Sequence, residues 1–288
     1  MFKLCNSCDN AYSSLDVRFT KSCDNACPFC IERMTGISDT GMASVSEMIQ
    51  ATYDTGIKNV LILGGEPMLY PERLLGYVLG IRHFVDTIYI TTSIPFAMKE
   101  HSEVIKCILN NIDGLNVSVQ ATQWKLNNKL MHASSDHNRL EILRELNKDY
   151  ADKIRVNLNL TKDGIGTISK LTTALFHLES IECKYVKLNE LQGAYGQYVS
   201  FEGMTRGIFK SNLNSPYAYG CQTRLELPFF KMEIILKRSC FVVSKQKKAG
   251  FMDLLKALYK KFFHRRKNKF AVLYENAKIE RRWLCSQE

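Results

Sequence analysis

The chain has 288 residues, 45% of them hydrophobic and 24% charged, with a formal net charge of +10. That length and apolar share allow a sizeable core in one large domain, or in a domain with an appendage, and they exclude a disordered chain. No uncharged run approaches the roughly 18 to 20 residues that span a bilayer, and Met1-Phe-Lys-Leu-Cys-Asn-Ser-Cys8 holds no extended apolar segment, so the sequence reads as soluble and cytoplasmic. Ten cysteines in such a chain point to metal binding in a reducing compartment rather than to a disulfide framework.

In chain order, residues 1–13 read as an N-terminal extension, in which Cys5 and Cys8 make a candidate ligand pair. Leu15 to Thr20 reads as a strand leading into Lys21-Ser-Cys-Asp-Asn-Ala-Cys-Pro-Phe-Cys-Ile-Glu32. Cys23, Cys27 and Cys30 fall within eight residues too rich in Asn, Pro and polar groups to continue as helix or strand, so a loop gathers three thiols. Such a donor set suits a metal centre. No second Cys or His pair stands at zinc-finger spacing, while soft thiolates equally suit an iron-sulfur cluster, in which three ligands to four irons leave one iron open. Random placement of ten cysteines would give this spacing roughly 0.01 times per chain, so chance is a weak rival.

Ser44 to Thr55 predicts a helix opening on the capping box Ser44-x-x-Glu47. Asn59 to Leu63 is a second strand, ending in Gly64-Gly65-Glu66-Pro67, where two glycines let backbone approach a ligand and a carboxylate can accept from an ammonium. Further strands are expected at Thr87–Thr92, Gly114–Gln120, Ile154–Leu160 and Tyr185–Glu190, with helical patterns near 72–83, 98–112, 137–149 and 166–181. Six β-α steps imply a parallel sheet with right-handed crossovers, a barrel or partial barrel once it curls, with its chemistry in the loops after the strands. Polar residues at those ends (Thr91, Thr92, Ser93, Ser118, Gln120, Asn157, Asn159, Asn189 and Glu190) are expected in part at the barrel mouth.

Residues 193–288 differ. Loops at 193–198 and 211–217 precede a strand within Lys231–Val243, an amphipathic helix at Phe251–Phe263 and a hairpin within Phe270–Leu284 about Glu275-Asn276. From Lys231 onward 16 Lys or Arg face 5 Asp or Glu, so the positive charge is concentrated there, densest at Lys245–Lys248 and Lys260–Lys267. This is either a solvated face or a surface for an acidic peptide, a phosphate or a nucleic acid.

The Cys-x3-Cys-x2-Cys loop with Phe29 before its last thiol, followed by the Gly-Gly-Glu-Pro turn, resembles the signature of the radical S-adenosylmethionine (radical SAM) superfamily over about residues 14–192. The resemblance implies a partial (βα)6 parallel barrel as a radical SAM core at 14–192, with 193–288 as a C-terminal α+β appendage for substrate binding or an auxiliary cluster. It implies a 4Fe-4S cluster on Cys23, Cys27 and Cys30 whose open iron chelates SAM. Phe29, Gly64, Gly65, Glu66 and Pro67 would shape the SAM site, Glu66 holding the amino group, and Thr92, Ser93 and Ser118 would reach the ribose or carboxylate, although the family often has Asn near the position of Thr92.

The mechanism so implied is reductive cleavage of SAM, with the electron coming from a partner such as flavodoxin or ferredoxin, and hydrogen abstraction from a substrate by the 5′-deoxyadenosyl radical. The expected substrate is a ribosomally made peptide; a nucleotide or nucleic acid is the alternative, and a non-catalytic iron-sulfur sensor or scaffold the alternative of another class. Cys221 and Cys240, with Cys285 near the end, faintly resemble auxiliary-cluster domains, so they read as ligands of a second iron-sulfur cluster or as hydrogen-atom donors. Cys107 and Cys183 read as core thiols.

Overall fold

The computed structural model describes residues 13–30, 41–191, 196–206, 222–225, 227–239 and 270–280. Six strands come first: β1 (Ser14–Arg18), β2 (Asn59–Leu63), β3 (Thr87–Thr92), β4 (Gly114–Val119), β5 (Ile154–Leu160) and β6 (Tyr185–Glu190). Each pairs with the next in parallel. The crossovers carry α1 (Val45–Thr55), α2 (Pro71–Arg82), α3 (Ala97–Glu100) with α4 (Ser102–Asn110), α5 (Trp124–Met131) with α6 (Arg139–Tyr150), and α7 (Ile168–Ser180). Because these six strands lie in the sheet in chain order, every right-handed crossover lays its helices on the same side. One face of the sheet is thus packed under helices and the other becomes the inside of the curl.

The strands encode both faces. In β5, Ile154, Val156, Leu158 and Leu160 are buried and alternate with Arg155, Asn157 and Asn159. The apolar set joins Leu74, Tyr77 and Ile81 of α2 and Leu171, Leu175 and Leu178 of α7 in one core, and each such side chain contributes about 1.5–3 kcal/mol through burial. The polar set continues across the sheet, Ser118 standing beside Asn157, Asn157 beside Lys187 and Asn159 beside Asn189.

The predicted capping box opens α1: Ser44 Oγ accepts from Glu47 N, and the Glu47 carboxylate accepts from Ser44 N at 2.7 Å, a cap worth about 1 kcal/mol. The single helix expected over 98–112 is two, parted at His101, whose backbone (φ −108°, ψ 38°) leaves the helical region. Periodicity misses α5 because two of its three buried residues, Asn127 and Asn128, are polar. Cys183 is buried as predicted, but Cys107 is exposed, so the thiol expected in the core is at the surface.

The described parts of the C-terminal third add strands to both edges of the sheet. β7 (Gln222–Leu225) and β8 (Glu233–Lys237) are antiparallel, and β8 lies parallel to β6. β9 (Phe270–Leu273) and β10 (Ile279–Glu280) form the hairpin predicted about Glu275-Asn276, and β9 lies parallel to β1. The order is β10-β9-β1-β2-β3-β4-β5-β6-β8-β7, with the short helix α8 (Phe201–Met204) between β6 and β7. The Phe251–Phe263 helix, the clusters at Lys245–Lys248 and Lys260–Lys267, the loop at 211–217 and Cys5, Cys8, Cys221, Cys240 and Cys285 lie outside the described residues. No described helix is long and apolar enough to cross a membrane.

Candidate functional site

After Arg18 the chain leaves β1 at the C-terminal edge of the sheet and enters the cysteine loop, on the side where parallel barrels place their sites. The loop after β2 lies directly on it: Gly65 N donates to Thr20 O at 2.6 Å and Glu66 N to Ser22 O at 2.8 Å. Side chains would forbid this approach. A Cβ on Gly65 would stand 2.1 Å from Ser22 O, and one on Gly64, at φ +127°, would stand 2.6 Å from Thr20 O. The two glycines expected to admit a ligand therefore admit the cysteine loop itself.

Cys30 N donates to Cys27 O at 3.2 Å, closing a turn over Pro28 and the half-buried Phe29. Cys23 is exposed, and Cys27 and Cys30 are half-buried. Burial pushes the Cys27 thiol up to about 12, with Cys30 and Cys23 adding to the rise. Although Cys23 is exposed as a residue, partial burial of its thiol pushes it up to about 11; a backbone hydrogen bond from Asn25 opposes the rise, and Glu66 and Asp24 reinforce it. Cys27 is thus close enough to Cys30 and Cys23 for their charges to act on its ionisation, and a metal that binds such thiols displaces their protons.

Glu66 is buried. It is 1% exposed, and its carboxylate accepts four hydrogen bonds: from Met68 N at 3.1 Å, Thr92 Oγ1 at 2.7 Å, and Ser93 N and Ser93 Oγ at 2.6 Å each. Burial raises its pKa and the four donors oppose the rise. Thr92 Oγ1 also accepts from Ile94 N and Ser93 Oγ from Asn25 Nδ2, so both hydroxyls belong to one network with Glu66. Four donors of its own chain thus surround the carboxylate. These groups tie the loop after β2 to the end of β3. Pro67 is buried at the start of the short 3₁₀ turn Pro67–Leu69.

The largest omission of sequence reasoning is Arg139, the first residue of α6 and 2% exposed. Its Nη2 donates to Asp24 Oδ2 at 2.9 Å and Asn25 Oδ1 at 3.0 Å, its Nη1 to Ser93 O at 2.8 Å and Ile94 O at 2.9 Å, and its Nε to Asn128 Oδ1 at 3.2 Å. The segment before α6 adds backbone support, with Ala26 N donating to Met131 O at 2.9 Å and Ser134 N to Asp24 O at 2.8 Å. No local motif announces this set, whose members come from four separate stretches.

The remaining strand ends divide by face. Ser118 stands on the inner face beside Asn157. Asn157 Oδ1 and Gln120 Oε1 are buried acceptors with no donor among the described residues. Glu190 faces the helices instead and fastens loops, accepting from Phe201 N at 2.8 Å, Tyr198 Oη at 3.2 Å and Ser239 N at 2.8 Å.

A family model described as the radical SAM superfamily matches residues 17–162. The chain belongs to that superfamily. Radical SAM enzymes use a 4Fe-4S cluster and SAM. Among solved structures, SuiB of Streptococcus suis bound to S-adenosylmethionine is similar over 94% of this chain and 60% of that one, with 14% identity and a TM-score of 0.62. SuiB bound to its precursor peptide SuiA gives 14% identity, coverages of 94% and 59% and a TM-score of 0.61. Native anSMEcpe with bound AdoMet and a Cp18Cys peptide gives 14%, 92% and 72%, and 0.51. These likenesses show the shared fold, and the chain spans about 60% of the length of SuiB. A comparison with curated proteins found no match.

The donor set fits the radical SAM cluster. Among the described residues no group of three His, Cys, Asp or Glu side chains is placed to hold a single metal ion. In a 4Fe-4S cluster each thiolate binds its own iron, so three thiols spread along one loop suit it.

Proposed function

We propose that the protein is a radical SAM enzyme that modifies a ribosomally made peptide, with Cys23, Cys27 and Cys30 ligating the cluster. The observation that carries the reading is the cysteine loop, seated on Gly64 and Gly65 and braced by the Glu66 and Arg139 networks beside the polar inner face of a parallel sheet. When bound, the cluster and SAM supply one-electron cleavage of a carbon-sulfur bond and a radical that abstracts hydrogen.

The chain's own contribution is placement. Arg139 fixes the cysteine loop and Glu66 the loop after β2, whose backbone is left to meet the SAM amino group. On the inner face Ser118, Asn157, Asn159 and Asn189 offer donors and acceptors together, which complements the amide groups of an extended peptide. That SuiB, which shares this fold, is seen bound to its precursor peptide SuiA supports the choice. The basic residues from Lys231 onward favour a second reading, a polyanionic substrate. The electron would come from a flavodoxin or ferredoxin.

The test is to supply the anaerobically reconstituted protein with SAM, reductant and short peptides encoded beside its gene. A peptide mass change that needs SAM and is absent without iron supports the reading. Uncoupled SAM cleavage that only an oligonucleotide or nucleotide accelerates would replace it with the second.

A further inference from the structure

We infer that Arg139 is a positioning residue for the cluster, fixing the shape of the cysteine loop and setting the charge beside it; the inference rests on the proposed ligation by Cys23, Cys27 and Cys30. The guanidinium has five N–H donors, and five acceptors on three other segments receive them: Asp24 and Asn25 between two of the cysteines, Ser93 and Ile94 after β3, and Asn128 on α5. Helix stability does not explain the residue. A cation in the first turn of a helix opposes the helix dipole, so its place at the start of α6 is favourable only through its partners.

Asp24 is the one carboxylate within ion-pair distance of Arg139 among the described residues, at 2.9 Å, with side-chain exposures of 3% for Arg139 and 11% for Asp24. Charge at this depth is weakly screened, and Arg139 is held against Asp24 and Asn25, which lie between Cys23 and Cys27 in the loop. The pair thus places a cation and an anion beside a cluster that must accept an electron. The cation favours the reduced form and the anion opposes it. A lysine would retain the charge but not the planar fork that reaches all five acceptors.

The experiment compares the reconstituted wild type with Arg139→Gln, Arg139→Lys, Asp24→Asn and the control Cys27→Ala. Three quantities are read: iron retained against a chelator, the electron paramagnetic resonance signal of the reduced cluster, and its midpoint potential. Arg139→Gln should lose iron roughly ten- to hundredfold more readily, with a fall in potential of at least tenfold in the reduction equilibrium, about 59 mV for one electron. Arg139→Lys should hold the potential near wild type and still lose iron. Asp24→Asn is isosteric and should raise the potential, and these opposite signs are not expected of a merely structural role. If Arg139→Gln fails to fold, Asp24→Asn and Arg139→Lys still decide. Wild-type potentials and iron retention in the variants that fold would overturn the inference, whereas a cluster that survives Cys27→Ala would overturn the ligand assignment instead.

Discussion

Arg18 and Glu275 are 257 residues apart and meet as a buried bidentate pair, Nε 2.6 Å from Oε2 and Nη2 2.9 Å from Oε1. The ring of Tyr274 lies 4.4 Å from the guanidinium carbon, and Lys21 of the cysteine loop approaches Oε1 at 3.6 Å. The hairpin β9–β10 therefore braces the point where the chain leaves β1 for the cysteines.

Removing one member of a buried pair leaves the other charge uncompensated, which typically costs about 3–5 kcal/mol. Glu275→Ala should lower the unfolding free energy by that order in urea titration and loosen the cysteine loop. A loss under about 1 kcal/mol would mean that water relieves Arg18 and that the hairpin is no brace.

Glu66→Gln keeps the shape of the side chain but sets an NH2 group against the donors that now point at a carboxylate. An unsatisfied buried donor costs about 1–3 kcal/mol. The variant should bind iron as the wild type does and bind SAM weakly, because the loop after β2 is no longer pinned to Ser93. Calorimetric SAM affinity equal to wild type would refute the strut.

His137 joins the same clamp, its Nε2 2.8 Å from Ile94 O and its Nδ1 3.1 Å from Ser135 Oγ. Burial holds its pKa below the ordinary 6.5. A depressed folded value means that the neutral ring is preferred in the fold, so the stabilisation is present above pH 6.5 and is lost as pH falls through the folded value. Unfolding free energy should decline from pH 7.5 to 5.5, and His137→Gln should flatten the decline. An identical slope in the variant would remove His137 from the account.

The paired readings of Cys221 and Cys240 separate by iron content. A double alanine variant that loses about four irons per chain reveals an auxiliary cluster. Unchanged iron with SAM cleavage intact and product lost assigns hydrogen-atom donation, and unchanged iron and product would make both thiols structural.

What could be read from sequence followed the range of the interactions. Strands β2, β3, β5 and β6 begin and end where alternation predicts, since each carries its own apolar period. The cysteine loop and the Gly-Gly-Glu-Pro turn were legible as local motifs. Arg139 was not, because its acceptors lie at residues 24–25, 93–94 and 128 and no window contains two of these stretches. For the same reason nothing near Phe270 predicts that β9 would pair with β1. Glu66 was recognised as a site residue, but its contacts with Met68, Thr92 and Ser93 were not legible, since composition cannot show which hydroxyls and amides will surround a carboxylate.

The central claim is that Cys23, Cys27 and Cys30 form the cluster site of a radical SAM enzyme. Its most direct test is the yield of 5′-deoxyadenosine from SAM under dithionite, measured on the reconstituted wild type and on Cys27→Ala with iron per chain determined on the same samples. The account predicts 5′-deoxyadenosine and a visible 4Fe-4S spectrum in the wild type and neither in the variant. A variant that keeps its iron, its spectrum and its SAM cleavage would contradict it.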